Sequence, residues 1–180
     1  ALDLNGEMYF SLDDYDTVGI QPSLRLDHRF NAQWTGRLLA RYNHTWLDSR
    51  SYTHMAGVAP SFTHQWGRTR HYTTLGGDLK WTDYSGPVAA WSQDRDGNDT
   101  SVFVKHRLLF MNDKAQVGAG FTLGRNHTDG IEYDADYVRL AVDLAVPVGW
   151  DVVLAPALSY TEYDYDNISL FAATPTRRNN

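Results

Sequence analysis

The sequence predicts an all-β chain, an antiparallel up-and-down β-barrel whose strands cross a membrane. Three observations predict it: a period of two in hydropathy that recurs nine times along 180 residues, connections that alternate between tight turns and long polar loops, and aromatic residues at strand ends on the apolar parity.

The first run, 2–12, puts Leu2, Leu4, Met8, Phe10 and Leu12 on one parity and Glu7 on the other. In the second, Val18, Ile20, Pro22, Leu24, Leu26, His28 and Phe30 alternate with Gly19, Gln21, Ser23, Arg25, Asp27 and Arg29. The third sets Trp34, Gly36, Leu38, Ala40, Tyr42, His44 and Trp46 against Gln33, Thr35, Arg37, Leu39, Arg41, Asn43 and Thr45. The fourth, 55–66, carries Ala56, Val58, Phe62 and Trp66; the fifth, 70–83, carries Leu75, Leu79 and Trp81 opposite Asp78 and Lys80. Val102, Val104, Leu108 and Phe110 in 100–110 oppose Lys105 and Arg107, and 115–127 repeats the pattern with Val117, Ala119, Phe121 and Leu123. Val138, Leu140, Val142, Leu144 and Val146 in 133–146 oppose Arg139 and Asp143, and 150–163 ends the series with Val152, Leu154, Leu158 and Tyr160. Runs of this length meet the roughly 9–11 tilted residues that a strand needs to cross a bilayer. His106 falls on the apolar parity, Pro60 and Pro156 interrupt theirs, and Thr73 and Gly77 stand where apolar bulk is expected. A β-bulge that shifts parity is the expected remedy for His106, and proline in a strand marks such a defect.

Tight turns are expected at 30–33, 66–68, 111–114 and 147–149, and long polar loops at 48–54, 85–99 and 164–177. Outer-membrane barrels have short periplasmic turns and long external loops, so the first run leads outward. Phe30, Trp34, Trp66, Phe110 and Trp150 flank the tight turns on the apolar parity and form the expected inner aromatic girdle, with Trp46, Trp81 and Tyr160 as its outer counterpart. Nine is an odd number, whereas single-chain bacterial barrels close with an even one. The whole of 1–180 therefore reads as one barrel domain, with at least nine strands visible, belonging to a larger barrel and incomplete at its C-terminal end; Arg177-Arg178-Asn179-Asn180 would start a descending strand.

Composition agrees. There is no cysteine, which excludes a disulfide scaffold and a thiolate metal site. No run of about 18 apolar residues is present to make a transmembrane helix, and the chain does not open as a signal peptide does. A net charge of −6 argues against a nucleic-acid partner.

The second parity gathers Glu7, Arg25, Asp27, Arg29, Arg37, Arg41, Asp78, Lys80, Lys105, Arg107, Arg139 and Asp143 as the expected pore lining. In a wide barrel they would border water; in a narrow one they would pair into a plug. Asp94-Arg95-Asp96-Gly97-Asn98-Asp99 has part of the spacing of a calcium loop but no distal glutamate, and reads as an external turn-rich loop. His44, His54, His64 and His127 lie near strand ends with Ser49, Ser51 or Ser61 nearby in sequence, without the pattern of a nucleophile and an oriented base. The chain is read as a non-enzyme with no cofactor and no metal, located in the bacterial outer membrane among lipid and lipopolysaccharide.

Val146-Pro147-Val148-Gly149-Trp150, then Tyr160, Tyr163, Tyr165 and Phe171, and finally Arg177-Arg178-Asn179 give the tail a characteristic spacing. With Leu24-Arg25-Leu26-Asp27-His28-Arg29-Phe30-Asn31 and the stretch from Leu38 to Thr45, it resembles the barrel domain of surface lipoprotein assembly modifiers. Those are outer-membrane proteins with a tetratricopeptide domain before the barrel, and they help lipoproteins or soluble cargo reach the cell surface. The resemblance implies a translocation or secretion pore with exported protein as its cargo. Three departures stand out: no helical repeat precedes the barrel, Asn179 replaces the family's Asp after the paired arginines, and the closing strands are missing. Two other readings stay open, a diffusion porin for small polar solutes and a soluble lipocalin-like barrel that would turn the apolar parity inward.

Overall fold

The computed structural model describes residues 2–5, 17–47, 50–67, 70–85, 94–149, 152–168 and 177–179. They form one antiparallel meander in which sequence neighbours are spatial neighbours: β1 (Leu2–Asn5), β2 (Thr17–Arg29), β3 (Trp34–Leu47), β4 (Arg50–Gln65), β5 (His71–Tyr84), β6 (Gly97–Phe110), β7 (Ala115–Thr128), β8 (Ala135–Gly149), β9 (Val152–Leu154), β10 (Ala157–Ile168) and β11 (Arg177–Asn179). Each of the nine alternating runs contributes a strand, the first only through Leu2–Asn5 among the described residues. The ninth is divided at Pro156 into β9 and β10, both paired with β8, and β11 pairs with β10 as the expected start of a descending strand. Among the described residues β1 and β11 do not pair with each other, so the sheet is an open up-and-down wall.

The turns explain why the strands reverse where they do. Between β2 and β3 the Asn31 carboxamide oxygen accepts from the backbone N–H groups of Gln33 (2.8 Å) and Trp34 (2.9 Å), a side chain standing in for a turn carbonyl. Gly67, at φ +59°, takes the left-handed conformation in the β4–β5 turn. The β6–β7 turn keeps Met111, Asn112 and Asp113 left-handed, and the Asp113 carboxylate meets Arg70 of the neighbouring turn at 3.2 Å. The expected turn at 147–149 is displaced: Pro147 and Gly149 belong to β8, pairing with Val153 and Val152 of β9, and the chain reverses beyond Gly149.

The misfit residues are resolved without the expected parity shift. From Gly97–Thr128 to Phe110–Ala115 the β6–β7 register is unbroken, so His106 stays on the apolar parity. There it lies 3.1 Å from His71 Nδ1 and 2.9 Å from Thr73 Oγ1, while Trp66 Nε1 donates to the same threonine. Pro60 causes no bulge either. The β4–β5 ladder skips from Val58–Leu79 to Ser61–Gly76 and resumes in register, as the loss of one N–H donor requires; Pro22 leaves the same gap between β2 and β3. A bulge sits elsewhere, between β3 and β4, and the β8–β9 register also shifts between Pro147 and Gly149. Thr45 pairs with Thr53 and Trp46 with Ser51, so Tyr52 is the extra residue and Ser51 turns to the face of Trp46.

Candidate functional site

Alternation divides the wall into an apolar and a polar face, and the apolar face is exposed where a soluble sheet would bury it. Along β7, Val117, Ala119, Phe121 and Leu123 are exposed while Gln116, Gly118, Gly120, Thr122 and Gly124 are half-buried or buried. Leu38, Val104 and Leu140 are 44%, 40% and 53% exposed, and among the described residues no large side chain is fully buried. The apolar parity therefore does not close on a core. It faces outward in continuous rows, one of which runs in register through Phe62, Leu75, Val104, Phe121 and Leu140.

The polar face is the concave one. A concavity of about 720 Å³ is bordered only by residues of the polar parity and by Ala32 and Gln33 of the first turn, and its charged members are Arg29, Arg37, Arg41, Asp78, Lys105 and Arg107. A second, of about 450 Å³ and nearer the long loops, is bordered by Lys80, Asp99, Arg95, Tyr133 and Tyr163 among others. Eleven of the twelve residues expected to line a pore share this face; Glu7 lies outside the described residues.

Ion pairs knit the polar face. Asp27 receives both Arg37, its partner across the β2–β3 ladder (2.6 Å), and Arg25 (2.9 Å). Three further contacts skip a strand. Arg41 of β3 reaches Asp78 of β5 at 2.5 Å, Lys105 of β6 reaches Asp143 of β8 at 3.4 Å, and the Tyr137 hydroxyl of β8 donates to Asp99 of β6 at 3.0 Å. Each passes over glycine in the strand between: Gly57 opposite Arg41, Gly118 opposite Asp143, Gly124 opposite Tyr137. A Cβ on Gly118 would stand 2.5 Å from an Asp143 carboxylate oxygen, and one on Gly124 would overlap the Tyr137 ring. Neighbouring strands lie about 4.8 Å apart, and in these three contacts the glycine leaves room for long side chains to cross the strand between; Arg125 of β7 makes a similar reach over Asp136 of β8 to Asp166 of β10 (2.6 Å) on the other face. Arg139 is held by Thr161 Oγ1 (3.1 Å) and lies over the Tyr137 ring; Lys80 stands 3.8 Å from Asp99.

Sequence reasoning missed Tyr137, Asp99 and the three glycines. Tyr137 was accessible by parity alone, since it shares odd numbering with Arg139 and Asp143. Asp99 was lost to a strand boundary placed at 100, whereas β6 starts at Gly97. The signal for the glycines is their position directly across a ladder from a long polar side chain, and it needs the register.

Phe30, Trp34, Trp66 and Phe110 gather at the end with the tight turns, where Phe30 stacks on Phe62 and His64 lies between Trp34 (4.5 Å) and Trp66 (5.1 Å). Trp46 and Trp81 stand toward the ends of β3 and β5 at the opposite rim. Tyr160 does not join them: it pairs with Leu140, mid-strand in β8, and sits in the first third of β10. Trp150 lies outside the described residues.

At the rim near Trp46 the bulge brings polar groups together on the apolar face. Ser51 Oγ lies 3.0 Å from His54 Nε2 and 3.3 Å from His44 Nε2, and His54 Nδ1 lies 2.9 Å from the Tyr42 hydroxyl. A hydroxyl and an imidazole thus meet, but the third group is a phenol and none of their described partners is a carboxylate. The cluster satisfies its own hydrogen bonds, and His44 stacks on Trp46 at 3.9 Å. Ser61 lies on the opposite, concave face, His127 pairs with Asp134 at 3.2 Å, and Ser49 lies outside the described residues.

The long-loop end is tied by carboxylates spent on backbone. Asp96 accepts from the Tyr84 N–H (2.6 Å), Asp94 from the Asp96 N–H (3.0 Å), and Asp134 from the Thr128 N–H (2.6 Å). Burial pushes the Asp96 carboxyl above the usual carboxylate range, aided by Asp94, Asp83 and Asp129, while the Tyr84 N–H pulls it down. Gly97, Asn98 and Asp99 belong to β6, so the segment 94–99 spreads its carboxylates to separate partners and does not converge them as a calcium loop does. Residues 86–93 of the expected long loop at 85–99 lie outside the described residues. Comparison of the chain with protein-family models, curated proteins and solved structures finds no match.

Proposed function

We propose that this chain is the wall of a bacterial outer-membrane β-barrel that passes polar cargo through its bore, and that exported polypeptide is that cargo. The exposed apolar face carries the reading. A sheet that shows Leu, Val and Phe on its convex side and keeps Arg, Lys and Asp on its concave side suits hydrocarbon outside and water inside. The strands of 12–16 residues from β2 to β8 and β10 exceed what a tilted crossing needs. Polypeptide as the cargo rests on the resemblance of the tail and early hairpins to surface lipoprotein assembly modifiers.

The interleaved charges of the concave face favour a second reading, diffusion of small polar solutes. A soluble lipocalin-type barrel is disfavoured, because it would turn Leu38, Val104 and Leu140 inward, and these are exposed. Extraction and gel migration test the membrane claim: the chain should leave cell envelopes only with detergent and should migrate differently when heated. Release into buffer without detergent would overturn it. In planar bilayers, steady open channels permeable to small solutes would select the porin reading over translocation.

A further inference from the structure

We infer that the half of the concave face nearer the tight turns is a binding site for small, multiply charged anions, an inference that rests on the reading of this face as the water-filled side of a pore. The chain carries a net charge of −6, yet the 720 Å³ concavity has Arg29, Arg37, Arg41, Lys105 and Arg107 around its border and one carboxylate, Asp78. Its charge is therefore opposite in sign to that of the whole molecule. The acids that outweigh it cluster at the other end, where Asp83, Asp94, Asp96, Asp129, Asp134 and Asp136 stand on loops or strand tips.

Internal pairing leaves a surplus of cations. Asp78 is taken by Arg41, Asp143 by Lys105, and Asp27 is shared by Arg25 and Arg37. Arg107 joins none of the ion pairs of the described residues, and Arg29 spends its guanidinium on the Asn31 and Ala32 carbonyls, which leave its charge uncompensated. The register sets Arg29 in one row with Thr35, Thr63, Thr74 and Lys105, and Arg107 stands two residues from that row on the side of the tight turns. The row carries hydroxyls, with Thr63 and Thr74 bonded at 2.8 Å, so an anion would meet these hydroxyl groups with cationic side chains reaching in from Arg29 on one side and from Lys105 and Arg107 on the other. Arginine suits phosphate and carboxylate because its planar fork donates two parallel hydrogen bonds. Low-dielectric walls around charges of one sign focus the field, and a concavity of this size lies within one Debye length, ~10 Å at 0.1 M salt.

The test uses the whole protein that carries this chain, folded in detergent and inserted in planar bilayers, with inorganic pyrophosphate as the probe. In a KCl gradient the reversal potential should show chloride preferred over potassium, pyrophosphate should reduce the conductance, and calorimetry should detect its binding. Combining Arg29→Glu with Arg107→Glu should weaken pyrophosphate about tenfold or more, since two charge-assisted contacts are lost, and should move the reversal potential toward potassium. Channels that prefer cations, with no pyrophosphate binding, would overturn the anion site and leave the pore reading intact. Pyrophosphate binding without any channel would keep the site and defeat the pore; neither binding nor channels would defeat both.

Discussion

At the residue scale, what holds the concave face together is the pairing of a long polar side chain with a glycine across the ladder. Gly124 makes room for the Tyr137 ring, whose hydroxyl crosses β7 to Asp99. Gly124→Val should displace that ring and cost about 1–3 kcal/mol, the range of overpacking at a crowded site, measured by denaturant unfolding of the chain in vesicles. Tyr137→Phe at the same bridge should cost only the net worth of one hydrogen bond, about 1 kcal/mol. Equal, negligible effects would mean that the bridge is idle. Asp96 supplies a pH dependence. Burial makes its proton bind more tightly in the folded loop than in the unfolded chain, so its contribution to stability is present in acid and lost as pH rises through the raised folded value. Asp96→Asn keeps an oxygen for the Tyr84 N–H and should flatten that dependence, read as amide-exchange protection at Tyr84; an unaltered slope would contradict the assignment. None of this was legible from composition, because a glycine's partner across a ladder and the burial of a loop carboxyl are both properties of register.

At the scale of the element, the strands were legible where parity is long and unbroken. β2, β3, β7 and β8 announce themselves through runs such as Val138 to Val146, and their starts fall within a residue or two of expectation. Boundaries failed where the local chemistry competes with the pattern: Pro147 and Gly149 look like a turn yet continue β8, and Asn98 and Asp99 look like loop yet open β6. Asn31 shows what ends a strand. Asn31→Ala removes the acceptor of two backbone N–H groups and should destabilise the β2–β3 hairpin by about 1–3 kcal/mol, seen as faster amide exchange at Gln33 and Trp34. The two faces of β8 should respond oppositely to charge. Leu140→Arg puts a cation on the face assigned to hydrocarbon and should cost about 2–4 kcal/mol in vesicles if Leu140 lies near the midplane, whereas Arg139→Leu loses one hydrogen bond to Thr161 and should cost about 1 kcal/mol. Similar costs for both would count against the division of faces.

At the scale of the whole molecule, the fold is an open wall with an exposed apolar side and a charged concave side. The sequence carried the alternation and the topology, including the start of a strand at Arg177. It did not carry the contacts that skip a strand, which need the register, nor the bulge at Tyr52 that regroups Ser51 with His44 and His54. Which solvent meets which side can be measured directly, because a chain without cysteine accepts single-cysteine labels cleanly. Spin labels at Leu38, Val104 and Leu140, and at their neighbours Arg37, Lys105 and Arg139, should be read for collision with oxygen, which concentrates in hydrocarbon, and with a water-soluble nickel complex. The first three should be quenched by oxygen and the second three by nickel. The reverse assignment, or six labels all open to nickel, would contradict the account.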